Sequence, residues 1–176
     1  TALETDVHPT RDGHFVATHD RDGRRVAGVD RRIELATLDD VGSWRLHDRR
    51  GRATDERVPT LRALLARYPG VPLSVDLKSA SPAAAARLVD VVHEMGAEAR
   101  VTLASFHDLQ VLRMRRHGYR GRTALTRLEV ATLRLLPAAL ARRLIHGAAA
   151  QIPTRAGPLE LDTALFIARC RALAGR

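Results

Sequence analysis

Short runs with strand character alternate with longer helical ones along almost the whole chain, and this rhythm limits the possible folds more than any other feature. Ala2 to His8 reads as a strand, Pro9 to Gly13 as a turn, and His14 to His19 as a second short strand. After the turn at Asp22-Gly23, residues Arg24 to Arg57 are polar with brief apolar pieces, an excursion carrying one short helix near Leu35 to Val41. Regular units follow. Strands are expected at Val71 to Lys78, Arg100 to Phe106, Arg122 to Thr126 and Ala148 to Pro153. Helices are expected from Thr60 to Tyr68, with Leu61, Leu64 and Leu65 on one face, and from Ser81-Pro82 to about Met95. Further helices run from His107 to His117, closed by Gly118, from Glu129 to Ile145 with a break at Pro137, and from Thr163 to Ala174.

A length of 176 residues suits one domain. Parallel strands joined by helices leave an open doubly wound sheet or a closed (β/α) barrel. No glycine-rich phosphate loop follows any strand, so nothing favours the nucleotide-binding open sheet. A barrel puts its chemistry at the C-terminal ends of strands, which is where the polar residues of this chain cluster. The charge balance of 29 basic against 20 acidic residues, net +9, raises polyanion binding as a function. Against it, Lys78 is the sole lysine, and aromatic residues at 3% are too few to build a platform for single strands. A solvated arginine-rich surface is the preferred reading, with no nucleic-acid partner expected. One cysteine, Cys170, excludes an internal disulfide and a multi-thiolate metal site. No apolar run approaches the ~18 residues of a membrane span. The chain opens on Thr1, so the native N-terminus and any targeting segment are expected upstream, with cytoplasm as the default location.

Three clusters could carry chemistry. In Glu4-Thr5-Asp6 the two carboxylates lie on one face of a strand, roughly 6.6 Å apart along it, and can converge on a cation. On spacing alone, an exposed edge with two solvated acids is the better reading. Asp12-Gly13 and then His19-Asp20 put a histidine, suited to proton transfer near neutral pH, beside the first cluster. Any one of eight histidines is more often a bystander. Asp76-Leu77-Lys78 sets an acid and a base on one face of the next strand. Asp76 can complete an all-oxygen site with Glu4 and Asp6, suited to Mg²⁺ or Ca²⁺, while Lys78 faces an anionic substrate. The plainer reading is a local ion pair.

Taken in order, these residues resemble the glycerophosphodiester phosphodiesterase family. Leu3 to Asp20, LETDVHPTRDGHFVATHD, resembles its E-x-D, D-G and H-D signature. Val58-Pro59-Thr60-Leu61 resembles the approach to its following helix, and Ser74 to Ser79 stands where the family has E-x-K. Ser105-Phe106 and Ala150-Gln151-Ile152-Pro153 resemble its S-F and Q-V-P strands, so the likeness runs through the whole chain. The resemblance implies a (β/α)₈ TIM-type barrel, treated as one domain over residues 1–176 with an insertion at about 20–57. It further implies hydrolysis of glycerophosphodiesters to glycerol 3-phosphate and an alcohol. By similarity Glu4, Asp6 and Asp76 hold a divalent metal, Mg²⁺ or Ca²⁺, Lys78 contacts the phosphate, and His19 is one of two acid–base histidines.

Three departures qualify that expectation. The family's opening H-R-G strand, source of the partner histidine, has no counterpart in this sequence. The W-T-V-N and G-x-D strands that follow the last helix in the family are also without counterparts. Strands two to six of eight are therefore expected, a barrel lacking its first and last two strands, with little or no turnover from this chain alone. Asp76 replaces the family's Glu, shortening that ligand by ~1.5 Å. The rival functions are a phospholipase-like barrel phosphodiesterase and a non-catalytic basic domain that binds polyanions.

Overall fold

Apolar side chains at every second position of three runs draw them into one sheet. The computed structural model describes residues 2–152, 155–156, 159–160 and 162–174, which fall into two units, residues 1–121 and 122–176. In the first, β1 (Leu3–Pro9) pairs with β2 (Phe15–Ala17) as an antiparallel hairpin. The excursion then carries β3 (Asp22–Gly23), α1 (Arg24–Ala27), β4 (Val29–Arg32), a 3₁₀ turn at Ile33–Leu35 and α2 (Leu38–Gly42). It returns to α3 (Leu61–Arg67), β5 (Leu73–Leu77), α4 (Pro82–Glu94), β6 (Val101–Ala104) and α5 (Asp108–Arg116). The main strands of this unit lie in the order β2-β1-β5-β6, with β1, β5 and β6 parallel.

Register decides which side chains share a face. Asp6 pairs with Asp76, and Asp76 with Ala104, while Glu4, Ser74 and Thr102 form the row before. The odd-numbered face of Val7, Leu73, Val75, Leu77, Val101 and Leu103 is buried under Leu61 and Leu65 of α3, Leu88 and Val92 of α4, and Met114 of α5. Each of those helices has a local cause. Thr60 caps α3 by accepting the Ala63 N–H at 3.0 Å. Pro82 stands in the first turn of α4, and Gly96 and Gly118, at φ +58° and +88°, let the chain leave α4 and α5 in the left-handed conformation. Arg100 ties the start of β6 to the preceding unit by donating to Val71 O and Leu65 O.

The excursion holds more order than its polar sequence suggests. Beyond the expected short helix it forms a β3–β4 hairpin, and it has a core of its own from Val16, Ile33, Ala36, Val41, Trp44 and Val58. These residues are far apart in sequence with no common period, so periodicity does not reveal them.

The second unit contains β7 (Arg122–Thr123), α6 (Arg127–Leu135), α7 (Ala138–Leu144), the hairpin of β8 (Arg155–Ala156) and β9 (Leu159–Glu160), and α8 (Ala164–Ala174). Pro137 separates α6 from α7, as the sequence predicts. β7 is shorter than expected because Thr126 leaves it to cap α6 in a capping box with Glu129. The other Glu129 oxygen accepts the N–H groups of His146 and Gly147, at 2.7 and 3.1 Å. The strand expected at Ala148 to Pro153 is reduced to one parallel bridge, Ala124 with Ala149, flanked by Ala148 N–H to Thr123 O and Leu125 N–H to Ala149 O. Ala148, Ala150 and Gln151 are exposed, so this segment has little apolar surface with which to extend a ladder. Pro153 lies outside the described residues.

Trp44 is the sole tryptophan, which makes the excursion's core directly observable. Ile33→Ala, at a fully buried position, is expected to destabilise that core by about 2–4 kcal/mol. Trp44 emission should then shift to the red at a lower denaturant concentration than the loss of far-ultraviolet helix signal.

Candidate active site

The even-numbered face of the β1–β5 pair carries Glu4, Asp6 and His8 on one strand and Ser74 and Asp76 on the other, with Lys78 just beyond β5. The sequence places Glu4 and Asp6 at a strand end. In the structure β1 runs on to Pro9, because Val7, His8 and Pro9 pair with β2, so Asp6 lies level with Asp76 near the end of β5 and Glu4 level with Ser74 near its start.

Lys78 closes this row. Its ammonium lies 2.8 Å from Asp6 Oδ1 and 2.8 Å from Asp76 Oδ2, so one cation bridges the two strands. Burial alone lowers a lysine, but the bonds to Asp6 and Asp76 outweigh it and hold Lys78 above its ordinary pKa. The same ammonium lies 4.9 Å from the centre of the Phe106 ring, a cation–π distance. Glu4 sits at the open end of the row. Its carboxyl is raised, first by partial burial and then by the charges of Asp6 and Asp76, with Lys78 and His19 opposing.

Asp76 is buried, and its Oδ1 has no hydrogen-bond partner. A buried carboxylate oxygen without a donor is costly, and a cation or a substrate hydroxyl is what such an atom lacks. With Glu4 and Asp6 beside it, the donor set has the hard-oxygen chemistry of a Mg²⁺ or Ca²⁺ site. The described residues do not, however, bring three acidic, histidine or cysteine side chains together as ligands. Lys78 stands at the point where Asp6 and Asp76 converge.

His19 follows β2 and is tethered from two sides. Its ring Nδ1 lies 3.0 Å from Asp20 Oδ1, while the side chain is 74% exposed, leaving the ring open to solvent. Asp20 in turn accepts from Arg25, and that bond, followed by the one to His19, lowers its carboxyl. The backbone is held by Thr18 N–H to Asp6 O at 3.0 Å and by a residue that sequence reasoning passed over, His8. The His8 ring is buried, and its Nε2 lies 3.2 Å from the His19 carbonyl oxygen. A carbonyl can only accept, so Nε2 carries the proton. Burial lowers the His8 pKa, partly offset by this bond. The signal for His8 was its place two residues after Asp6, on the same strand face.

Asp12, the other acid of the D-G turn, is structural. It accepts from Thr10 Oγ1 at 2.6 Å and from the Leu38 N–H, which ties the hairpin to α2. Removing the cation of the row should expose the opposition of its acids. Lys78→Met is expected to lower stability by about 2 kcal/mol near neutral pH in thermal or chemical unfolding, with a smaller loss in acid where the carboxylates take up protons.

Solved structures share this arrangement of strands and helices. A glycerophosphodiester phosphodiesterase from Agrobacterium tumefaciens superimposes with a TM-score of 0.75 at 19% identity, over 98% of this chain and 71% of that one. A second, from Parabacteroides distasonis, has a TM-score of 0.58 at 26% identity, over 70% of this chain and 50% of that one. The fold is thus α/β of the TIM-barrel type. Among curated proteins, one named a probable glycerophosphodiester phosphodiesterase, from Mycobacterium tuberculosis, is 35% identical over 106 residues. That match takes in 60% of this chain but only 37% of the relative's length. The model of the glycerophosphoryl diester phosphodiesterase family matches residues 1–149. With that match over most of its length, the chain belongs to the glycerophosphoryl diester phosphodiesterase family.

Proposed function

We propose that this chain carries the site of a metal-dependent phosphodiesterase that hydrolyses glycerophosphodiesters to glycerol 3-phosphate and an alcohol. The observation that carries the reading is the Asp6–Lys78–Asp76 row with its unpartnered Asp76 Oδ1, beside a tethered and accessible His19. Glu4, Asp6 and Asp76 would hold the divalent cation, Mg²⁺ or Ca²⁺. When bound, the cation supplies positive charge to the phosphoryl oxygens and so lowers the cost of the transition state.

The chain's own residues do the rest. Lys78 presents a second positive charge to the phosphate, and its two aspartates keep it protonated and in place. In the hydrolysis a water oxygen bonds to phosphorus as the bond to the alcohol oxygen breaks. One proton leaves the water and one joins the alcohol. His19 moves a proton at its free ring nitrogen, with Nδ1 held by Asp20. His8 is assigned a supporting part, because its ring is buried and its Nε2 bonds to the His19 carbonyl. This leaves one histidine poised for transfer among the described residues of the site. Turnover by residues 1–176 is therefore expected to fall about 10²–10⁴ below that of a site with two such groups.

The test is release of glycerol 3-phosphate from glycerophosphocholine, with Mg²⁺ or Ca²⁺ and with a chelator. Slow turnover that the chelator abolishes and that His19→Ala lowers by at least about 10²-fold supports the assignment. Turnover indifferent to chelator overturns the metal reading. No turnover with any metal, together with steeply salt-dependent binding to polyanions, favours the basic binding domain instead.

A further inference from the structure

Three backbone carbonyls around Lys78 are each held by a side chain from the next strand–helix unit. Ser105 Oγ, just past β6, donates to Leu77 O at 2.6 Å. Gln110, on α5 and wholly buried, donates through Nε2 to Ser79 O and to Ser81 O, both at 2.7 Å. Its amide orientation is settled by its neighbours. Both carbonyls can only accept, and Arg113 Nη1, which can only donate, lies 2.9 Å from Gln110 Oε1. The Gln110 amide is thus engaged on both sides at a fully buried position. Its two donations end on the segment that carries Lys78 away from β5. Ser105 Oγ also accepts the His107 N–H at 3.1 Å, so the clamp is anchored in the turn before α5.

The geometry points to Gln110 and Ser105 as positioning residues for Lys78: they hold Leu77 to Ser81 so that the ammonium reaches Asp6 and Asp76 at once and stays at the point where an anionic phosphodiester is bound. Both bond to backbone carbonyls of the segment and act through Lys78. Lys78 itself donates its backbone N–H to Val7 O, so strand pairing fixes one end of its backbone and the clamp the other. The inference rests on the proposed phosphate contact of Lys78, but its test does not depend on turnover.

Because Lys78 is the sole lysine, its amine can be followed alone. Acetylation by a water-soluble N-hydroxysuccinimide ester, quantified at Lys78 by peptide mass spectrometry, would be timed for wild type, Gln110→Met, Ser105→Ala and Val111→Ala. Val111 is buried on the same helix and its aliphatic side chain has no hydrogen-bond donor for a carbonyl, so its variant reports plain loss of packing. The expected result is an increase of about tenfold in the Lys78 rate for Gln110→Met, and a smaller one for Ser105→Ala, as follows from losing one or two hydrogen bonds. Val111→Ala should react as wild type does. Unchanged rates in folded Gln110→Met and Ser105→Ala, or an equal rise in Val111→Ala, overturn the proposal. Should Gln110→Met fail to fold, Ser105→Ala decides. Glycerol 3-phosphate added to wild type tests the phosphate contact separately. Protection of Lys78 supports that contact, and its absence counts against the contact while leaving the clamp to the variant rates.

Discussion

A lysine ammonium between two aspartates on neighbouring parallel strands is the contact around which this site is arranged. Strands in a sheet lie ~4.8 Å apart, so the register that pairs Asp6 with Asp76 brings two carboxylates side by side on a face with limited access to water. Without a cation that register would be opposed by like-charge repulsion. Lys78 supplies the cation at 2.8 Å from each, and the arrangement becomes an attractive bridge between β1 and β5. The compensation is incomplete, since Asp76 Oδ1 takes no hydrogen bond. A fully satisfied ion pair would need nothing further. The unpartnered buried oxygen leaves one acceptor of the row open.

The surroundings of this contact are asymmetric. The helix-facing side of the sheet is conventional packing, with Val75, Leu77 and Leu103 under α3, α4 and α5. The opposite side is polar, and its side chains are held by hydrogen bonds more than by packing. His19 depends on the β1–β2 hairpin, on His8 beneath its carbonyl and on Asp20 at its ring. The segment bearing Lys78 depends on Ser105 and Gln110. Such supports are small individually, near 1 kcal/mol each in net terms, but they restrict where a charged side chain can point.

Much of this was legible in the sequence because it obeys local rules. Helices α3 to α7 announced themselves through Thr60, Pro82, Gly96, Gly118 and Pro137, each acting within a turn of its own position. Glu4 with Asp6, and Asp76 with Lys78, could be placed on one face from the two-residue period of a strand. The excursion's core could not, since Val16, Ile33, Trp44 and Val58 meet only after the chain has folded back across forty residues of polar sequence. The strand expected near Ala148 is reduced, among the described residues, to a single bridge, because its alanines have too little surface to bury.

The sequence by itself determined the alternation of elements, the helix ends, and the residue types that can meet at the site, because spacing, capping and charge are properties of neighbours along the chain. Only the tertiary structure decided that Asp6 and Asp76 share a row, that Lys78 turns in to bridge them, that His8 carries the backbone of His19, and that Gln110 holds the loop beyond β5. Those depend on strand register and on contacts between residues 70 or more positions apart, such as Asp6 with Asp76 and with Lys78, where no short-range rule of the chain constrains the partner.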